Sequence, residues 1–160
     1  MRRKNAKLKE SCFDGFEYRG YKVRTKLVIE GHKEYRPMKL SSSSDVYSAF
    51  KKLVESDKEK FYSIFLDCKN KVIGVDMVSQ GALDSAPVHP REVYKSALLA
   101  SASNVIFVHG HPSGDPEPSL SDKEITRILR QAGDMLQINV LDHVIVGLDS
   151  FYSFADKGEL

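Results

Sequence analysis

The segment Asn104-Val105-Ile106-Phe107-Val108-His109 constrains this chain most. Four consecutive apolar residues, β-branched or aromatic, show no polar alternation, so neither face of the segment suits water. A short run of this kind lies in the middle of a sheet that is covered on both sides. The next stretch of chain is equally restrictive. From Pro112 to Pro118 it carries three prolines and a glycine, so neither a helix nor a central strand runs through it and it must be an ordered loop. Ser119 then opens a helix whose apolar side holds Ile125, Ile128, Leu129 and Ala132. Gly133 is expected to stop it, with Met135, Leu136 and Ile138 leading into a strand over Val140 to Val146.

Upstream, Phe61 to Leu66 and Val72 to Val78 are two apolar runs joined by Asp67-Cys68-Lys69-Asn70-Lys71, which reads as strand, turn, strand. A loop past Pro87 reaches His89 and Pro90, and Pro90 suits the first turn of a helix through Glu92, Val93, Ala97, Leu98 and Leu99. The polar linker Leu40 to Asp45 caps a further helix carrying Val46, Phe50, Leu53 and Val54 on one face. Residues 16–40 read as extended, a strand or hairpin in which Tyr21, Val23 and Thr25 alternate with basic residues before Leu27-Val28-Ile29, and Glu30 to Lys33, with His32, makes a turn. Strands and helices in alternation give an α/β (α+β layered) fold, a mixed sheet flanked by helices. The organisation expected is a basic extension over 1–40 and one main domain over 41–160.

Residues 1–40 hold 12 Lys/Arg against 5 Asp/Glu, net +7, and residues 41–160 hold 12 against 17, net −5. A local cationic arm suits phosphate backbones, so nucleic acid is a candidate partner through this region; a solvated, frayed terminus explains the same charge. No apolar run reaches the roughly 20 residues of a membrane-spanning helix. Cys12 and Cys68 are far apart and form no CxxC pair, which excludes a disulfide framework or a thiolate zinc site and makes a reduced, cytoplasmic protein the expectation.

The chemistry is concentrated in HGHPSGDPEPSLSD, residues 109–122. His109 and His111, two apart at the end of a strand, point to the same side, so both rings can reach one ion. Imidazole suits Zn²⁺, and a catalytic site adds a third protein ligand and keeps a fourth position for water. Asp122 is the natural third if the rigid loop returns the helix start to the strand end. Ser119 and Asp122 also have the spacing of a capping box, which accounts for those two residues but not for the His-x-His pair.

The run resembles the JAMM pattern, His-x-His-Pro, a spacer, then Ser-x-x-Asp, of the MPN-plus metalloenzymes. The stretch from about Glu59 to Phe154 is similar to the bacterial RadC group, supported by FLDCKNKVIGVDMVSQGALDS, VHPREVYKSALLASA and LDHVIVGLDSFYSF. Gly110 stands where RadC proteins usually have Asn, and no helix-hairpin-helix module is expected ahead of the domain. The resemblance implies a cytidine-deaminase-like JAMM/MPN fold and one Zn²⁺ held by His109, His111 and Asp122. It further implies that Ser119 hydrogen-bonds an oxyanion and that an upstream glutamate acts as general base. Glu59, just before the Phe61 strand, matches that glutamate best; Glu92 is the rival, explained by its place in a first helical turn. The implied activity is hydrolysis of a peptide or isopeptide bond in a peptide or protein substrate. The alternative is a DNA-associated repair or mobile-element accessory protein with a non-catalytic metal centre.

The remaining candidates have structural explanations. His143 is expected to pair with Asp142, His89 to cap the helix at Pro90, and Ser113 and Gly114 to shape the loop; Asp115 and Glu117 could stand behind the ligands. An exposed edge strand at Tyr21 to Ile29 would make a homodimer or peptide addition plausible.

Overall fold

The computed structural model describes residues 40–81 and 88–160, together with two short backbone strands, β1 (Ser11–Phe13) and β2 (Phe16–Tyr18), which pair antiparallel. The strand expected at Tyr21 to Ile29, the turn at His32 and the loop at Pro87 lie outside the described residues.

From Leu40 onward the chain forms α1 (Ser43–Phe50) with a 3₁₀ turn (Lys51–Glu55), β3 (Lys60–Leu66), β4 (Val72–Gln80), α2 (Pro90–Leu99), β5 (Asn104–Gly110), α3 (Leu120–Leu136), β6 (Asn139–Val146) and β7 (Phe151–Ser153). The five strands β3 to β7 make one mixed sheet in the order β4-β3-β5-β6-β7. Within that sheet only the β5–β6 pair is parallel, because α3 carries the chain back across the sheet between them. β5 is central and all seven of its residues are buried, as its unbroken apolar run requires.

Alternation along the strands builds two cores. Phe61, Phe65, Val105 and Phe107 face α2 and α3, where they meet Val93, Tyr94, Ala97 and Leu129. Ile64, Leu66, Ile106, Val108, Val144 and Val146 face the other way, onto Leu40 and Val46 at α1. Each fully buried side chain of this size contributes about 1.5–3 kcal/mol. The result is a sheet between helical layers, the α/β arrangement the sequence implies.

Local chemistry explains the boundaries. Ser42 and Asp45 form a capping box at the start of α1. The β3–β4 turn is held by Asp67 Oδ1, which accepts from the backbone N–H groups of Lys69 and Lys71, with Asn70 at φ 59°. Cys68 is an exposed free thiol there. Pro90 occupies the first turn of α2, but the His89 side chain makes no capping bond, contrary to expectation. Its ring cannot substitute for the short oxygen-bearing side chains that cap well.

Gly133 does not stop α3. The helix runs to Leu136 and turns at Gln137, at φ 57°, so Met135 and Leu136 belong to the helix and are exposed. Glycine is required at 133 for closeness: a Cβ there would lie 2.6 Å from the carbonyl oxygen of Ile138 and 2.6 Å from the Tyr94 hydroxyl. That hydroxyl donates to the Leu129 carbonyl at 2.7 Å, tying α2 to α3. Gly133→Ala would gain about 1 kcal/mol of helix propensity, but overpacking against main chain costs about 1–3 kcal/mol. A net loss of stability is expected in urea denaturation; an unchanged or raised midpoint would contradict this packing account.

Candidate metal centre

At the end of β5, His109 projects to the α2/α3 side with Phe107, and His111 comes just beyond the strand, after Gly110. Strand alternation brings the two Nε2 atoms to 3.0 Å. Because β5 and β6 are parallel, α3 must start near the end where β5 stops, and its first turn presents Asp122 to the rings. Asp122 Oδ1 lies 3.2 Å from His109 Nε2, and Oδ2 lies 3.5 Å from His111 Nε2.

The capping box orients this carboxylate. Asp122 Oδ2 accepts from the Ser119 N–H at 2.8 Å and the Ser119 hydroxyl at 2.6 Å, while Asp122 N–H donates back to Ser119 Oγ at 3.2 Å. Capping the helix and turning the carboxylate toward the two histidines are therefore one arrangement, where the sequence offered a cap and a metal ligand as alternatives. Oδ1 is buried and accepts no hydrogen bond.

The loop between His111 and Asp122 is pinned to the β6–β7 turn. His111 N–H donates to the Val146 carbonyl at 3.1 Å, and Leu148 N–H to the Gly114 carbonyl at 2.9 Å. Gly147 permits the approach, since a Cβ there would meet Gly114 O at 2.6 Å. His111 Nδ1 donates to the Asp115 carbonyl at 2.7 Å, which leaves Nε2 without a proton when the ring is neutral. The Asp115 carboxylate accepts from Glu117 N–H, so both acidic residues shape the loop behind His111. Gly110 has its own reason: a Cβ would lie 2.8 Å from Leu53 Cβ, so glycine lets the 3₁₀ turn close on the strand end.

The pairing of β3 with β5, Lys60 to Gly110 and Phe61 to His109, brings Glu59 alongside His111. Glu59 is half-buried and lines a small cleft with Phe61, Ser79, Gly81, Val88 and His109. Glu92 is elsewhere, 54% exposed, beside Arg91 and Lys95 along a groove of about 630 Å³ between α2 and α3.

His143 departs from expectation. Its ring makes no bond to the Asp142 carboxylate, which instead accepts from the Ser153 hydroxyl and from the backbone N–H groups of His143 and Ala155. A bulge in the β5–β6 register sets His143 beside Phe107, on the face that bears His109. There His143 Nε2 lies 2.9 Å from His109 Nδ1, and its Nδ1 lies 2.6 Å from Thr126 Oγ1 on α3. Neither His143 nor Thr126 carries a sequence signal for the site; the apolar run around His143 marks only a buried strand.

Burial alone would raise the Asp122 pKa, but the adjacent imidazoles of His109 and His111, with the Ser119 hydroxyl, hold it well below the ordinary carboxylate range. The hydrogen bond to Asp122 raises His111 against its partial burial, aided by the Asp115 carbonyl and the Asp122 and Glu59 charges. Burial, then the neighbouring His109, pushes His143 well below the usual imidazole range, so it is neutral.

The residues fit a cation. His109, His111 and Asp122 each offer a donor atom, all within 4.8 Å of one another. For tetrahedral Zn²⁺ with bonds of about 2.0–2.1 Å the donor-to-donor edge is about 3.3 Å, and His109 Nε2 lies 3.0 Å from His111 Nε2 and 3.2 Å from Asp122 Oδ1. A buried carboxylate oxygen without a donor is what a cation would satisfy.

Residues 40–159 match the model of the RadC-like JAB domain. The chain belongs to this family. A UPF0758 protein of Methanosarcina mazei is 45% identical over 131 residues, covering 81% of this chain and 57% of that protein. A UPF0758 protein of Chlorobaculum parvum is 44% identical over 139 residues, 83% of this chain and 63% of its own length. This chain thus spans less than two thirds of the length of these relatives. In the RadC-like domain the match begins at Leu40, ahead of α1, and includes every residue of the cluster. Among the described residues no helix is long and apolar enough to cross a membrane.

The pairing of His111 with Asp122 makes the stability of ion-free protein depend on pH. A histidine whose folded pKa is raised contributes stability that is full below its ordinary value of 6.5 and lost as pH rises through the raised value. The urea midpoint of chelator-treated protein is expected to fall over that window, and Asp122→Asn to flatten the fall; a midpoint rising with pH in the wild type would contradict the His111–Asp122 pairing.

Proposed function

We propose that the RadC-like domain is a metal-dependent hydrolase, using zinc, that cleaves a peptide or isopeptide bond in a peptide or protein substrate. The reading rests on one observation: a buried His-His-Asp donor set with an orphaned carboxylate oxygen, beside a half-buried glutamate, at an edge where His111 is 12% exposed. Held by His109, His111 and Asp122, the ion would supply Lewis acidity and bring the ionisation of water from a pKa of about 15.7 towards about 7.

The chain's own residues would do the rest. Glu59 takes the proton from water as its oxygen bonds to the amide carbon, and passes it to the nitrogen as the C–N bond breaks. Ser119 sits at the rim, exposed at the start of α3. Its one hydroxyl proton is spent on Asp122 Oδ2, so donating to an oxyanion requires the hydroxyl to rotate off that carboxylate. Such a donor is worth on the order of 2.7–4 kcal/mol.

Glu59→Gln is expected to lower hydrolysis of a susceptible peptide or isopeptide about 10²–10⁴-fold while zinc binding, read by titration, is unchanged. Full activity in that variant, or activity indifferent to chelator, would overturn the enzyme reading. The net charge of +7 over residues 1–40 favours a second reading, a DNA-associated accessory role with a non-catalytic centre. It predicts DNA affinity that falls steeply with salt and disappears when 1–40 is deleted, with His109→Ala having no effect.

A further inference from the structure

We infer that His143 is a positioning residue: it fixes the His109 tautomer so that the Nε2 lone pair faces the metal position, through a hydrogen-bond chain whose direction is set by the main-chain carbonyl of Asp122. The inference rests on the metal reading for its effect on affinity, and on hydrogen-bond direction alone for the tautomer.

Direction is set one link at a time. Thr126 Oγ1 lies 2.5 Å from the Asp122 carbonyl oxygen, one helical turn back. A carbonyl only accepts, so the single Thr126 proton is committed to it. Thr126 Oγ1 then serves His143 as an acceptor, and the His143 Nδ1 at 2.6 Å carries the proton. A neutral imidazole holds one ring proton, so His143 Nε2 is an acceptor, and His109 Nδ1 at 2.9 Å donates to it. His109 Nε2 is left bare, 3.2 Å from the orphaned Asp122 Oδ1. For His111 the same result comes directly from the Asp115 carbonyl. Both ligand tautomers are thus dictated by backbone oxygens, one of them through two intervening side chains.

The surroundings hold the chain in this state. The His143 ring is wholly buried, stacked on Phe154 at 5.1 Å and edge-on to Phe107 at 6.1 Å, and Phe61 stacks on His109 at 5.9 Å. Water has no access to offer an alternative donor. The chain of bonds also begins on the main chain of a ligand, since the Asp122 that would hold the ion supplies the carbonyl that orders the far side of His109. Outer partners of metal-bound histidines commonly change affinity about 10–100-fold.

The test uses the full chain. Ring ¹⁵N spectra of the ion-free protein should show neutral His143 protonated at Nδ1 and His109 carrying a proton at Nδ1; His143 protonated at Nε2 would overturn the inference. Zn²⁺ affinity, by competition with a chromophoric chelator, should fall about 10–100-fold in His143→Phe, which fills the apolar site without an acceptor. His143→Gln, whose Oε1 can stand where Nε2 stood, should restore most of it. Equal affinity in wild type and His143→Phe, or equal loss in both variants with intact ion-free folds, would refute the positioning role. If the wild type itself takes up no zinc, the metal reading fails, while the tautomers remain readable.

Discussion

The hydrogen bonds that begin α3 hold the site together. Asp122 Oδ2 is fixed by the Ser119 N–H and hydroxyl, so Oδ1 is aimed at His109 and left without a donor. A free aspartate would rotate to satisfy both oxygens. This one is held, because rotation would give up both bonds from Ser119, the carboxylate half of the capping box at the start of a 17-residue helix. The helix start thereby keeps a carboxylate under-satisfied in a buried place, where desolvation favours neutralisation unless positive charge arrives. A divalent ion between the carboxylate and the two rings would meet that need.

Topology makes this possible. In a sheet whose other neighbours are antiparallel, the β5–β6 pair is parallel, so the crossover helix returns to the end of β5 where the histidines emerge. Ligands gather outside the carboxyl ends of parallel strands for the same geometric reason in other α/β sheets. The antiparallel β3 supplies Glu59 from the opposite direction, by register with Gly110 and His109.

Much of this was legible in the sequence because it is local. The unbroken run at Val105 to Val108 marks the central strand, the His-x-His spacing reflects strand alternation, and Ser119 to Asp122 marks a helix start. What was not legible depends on contacts between distant segments. His143 was read with its neighbour Asp142, yet its ring meets His109, 34 residues away, and Thr126, 17 away; a register bulge decides which face it takes. Gly133 looked like a terminator because nothing in its own segment reveals that Ile138 and Tyr94 close on it. His89 had the right position for a cap and the wrong side chain.

If the proposed function is right, His109, His111 and Asp122 hold one cation. Anomalous diffraction from zinc-grown crystals, recorded above and below the zinc absorption edge, tests it most directly. A single edge-dependent peak about 2.0–2.2 Å from both histidine Nε2 atoms and an Asp122 oxygen is expected. Ordered rings and carboxylate with no such peak between them would contradict the account.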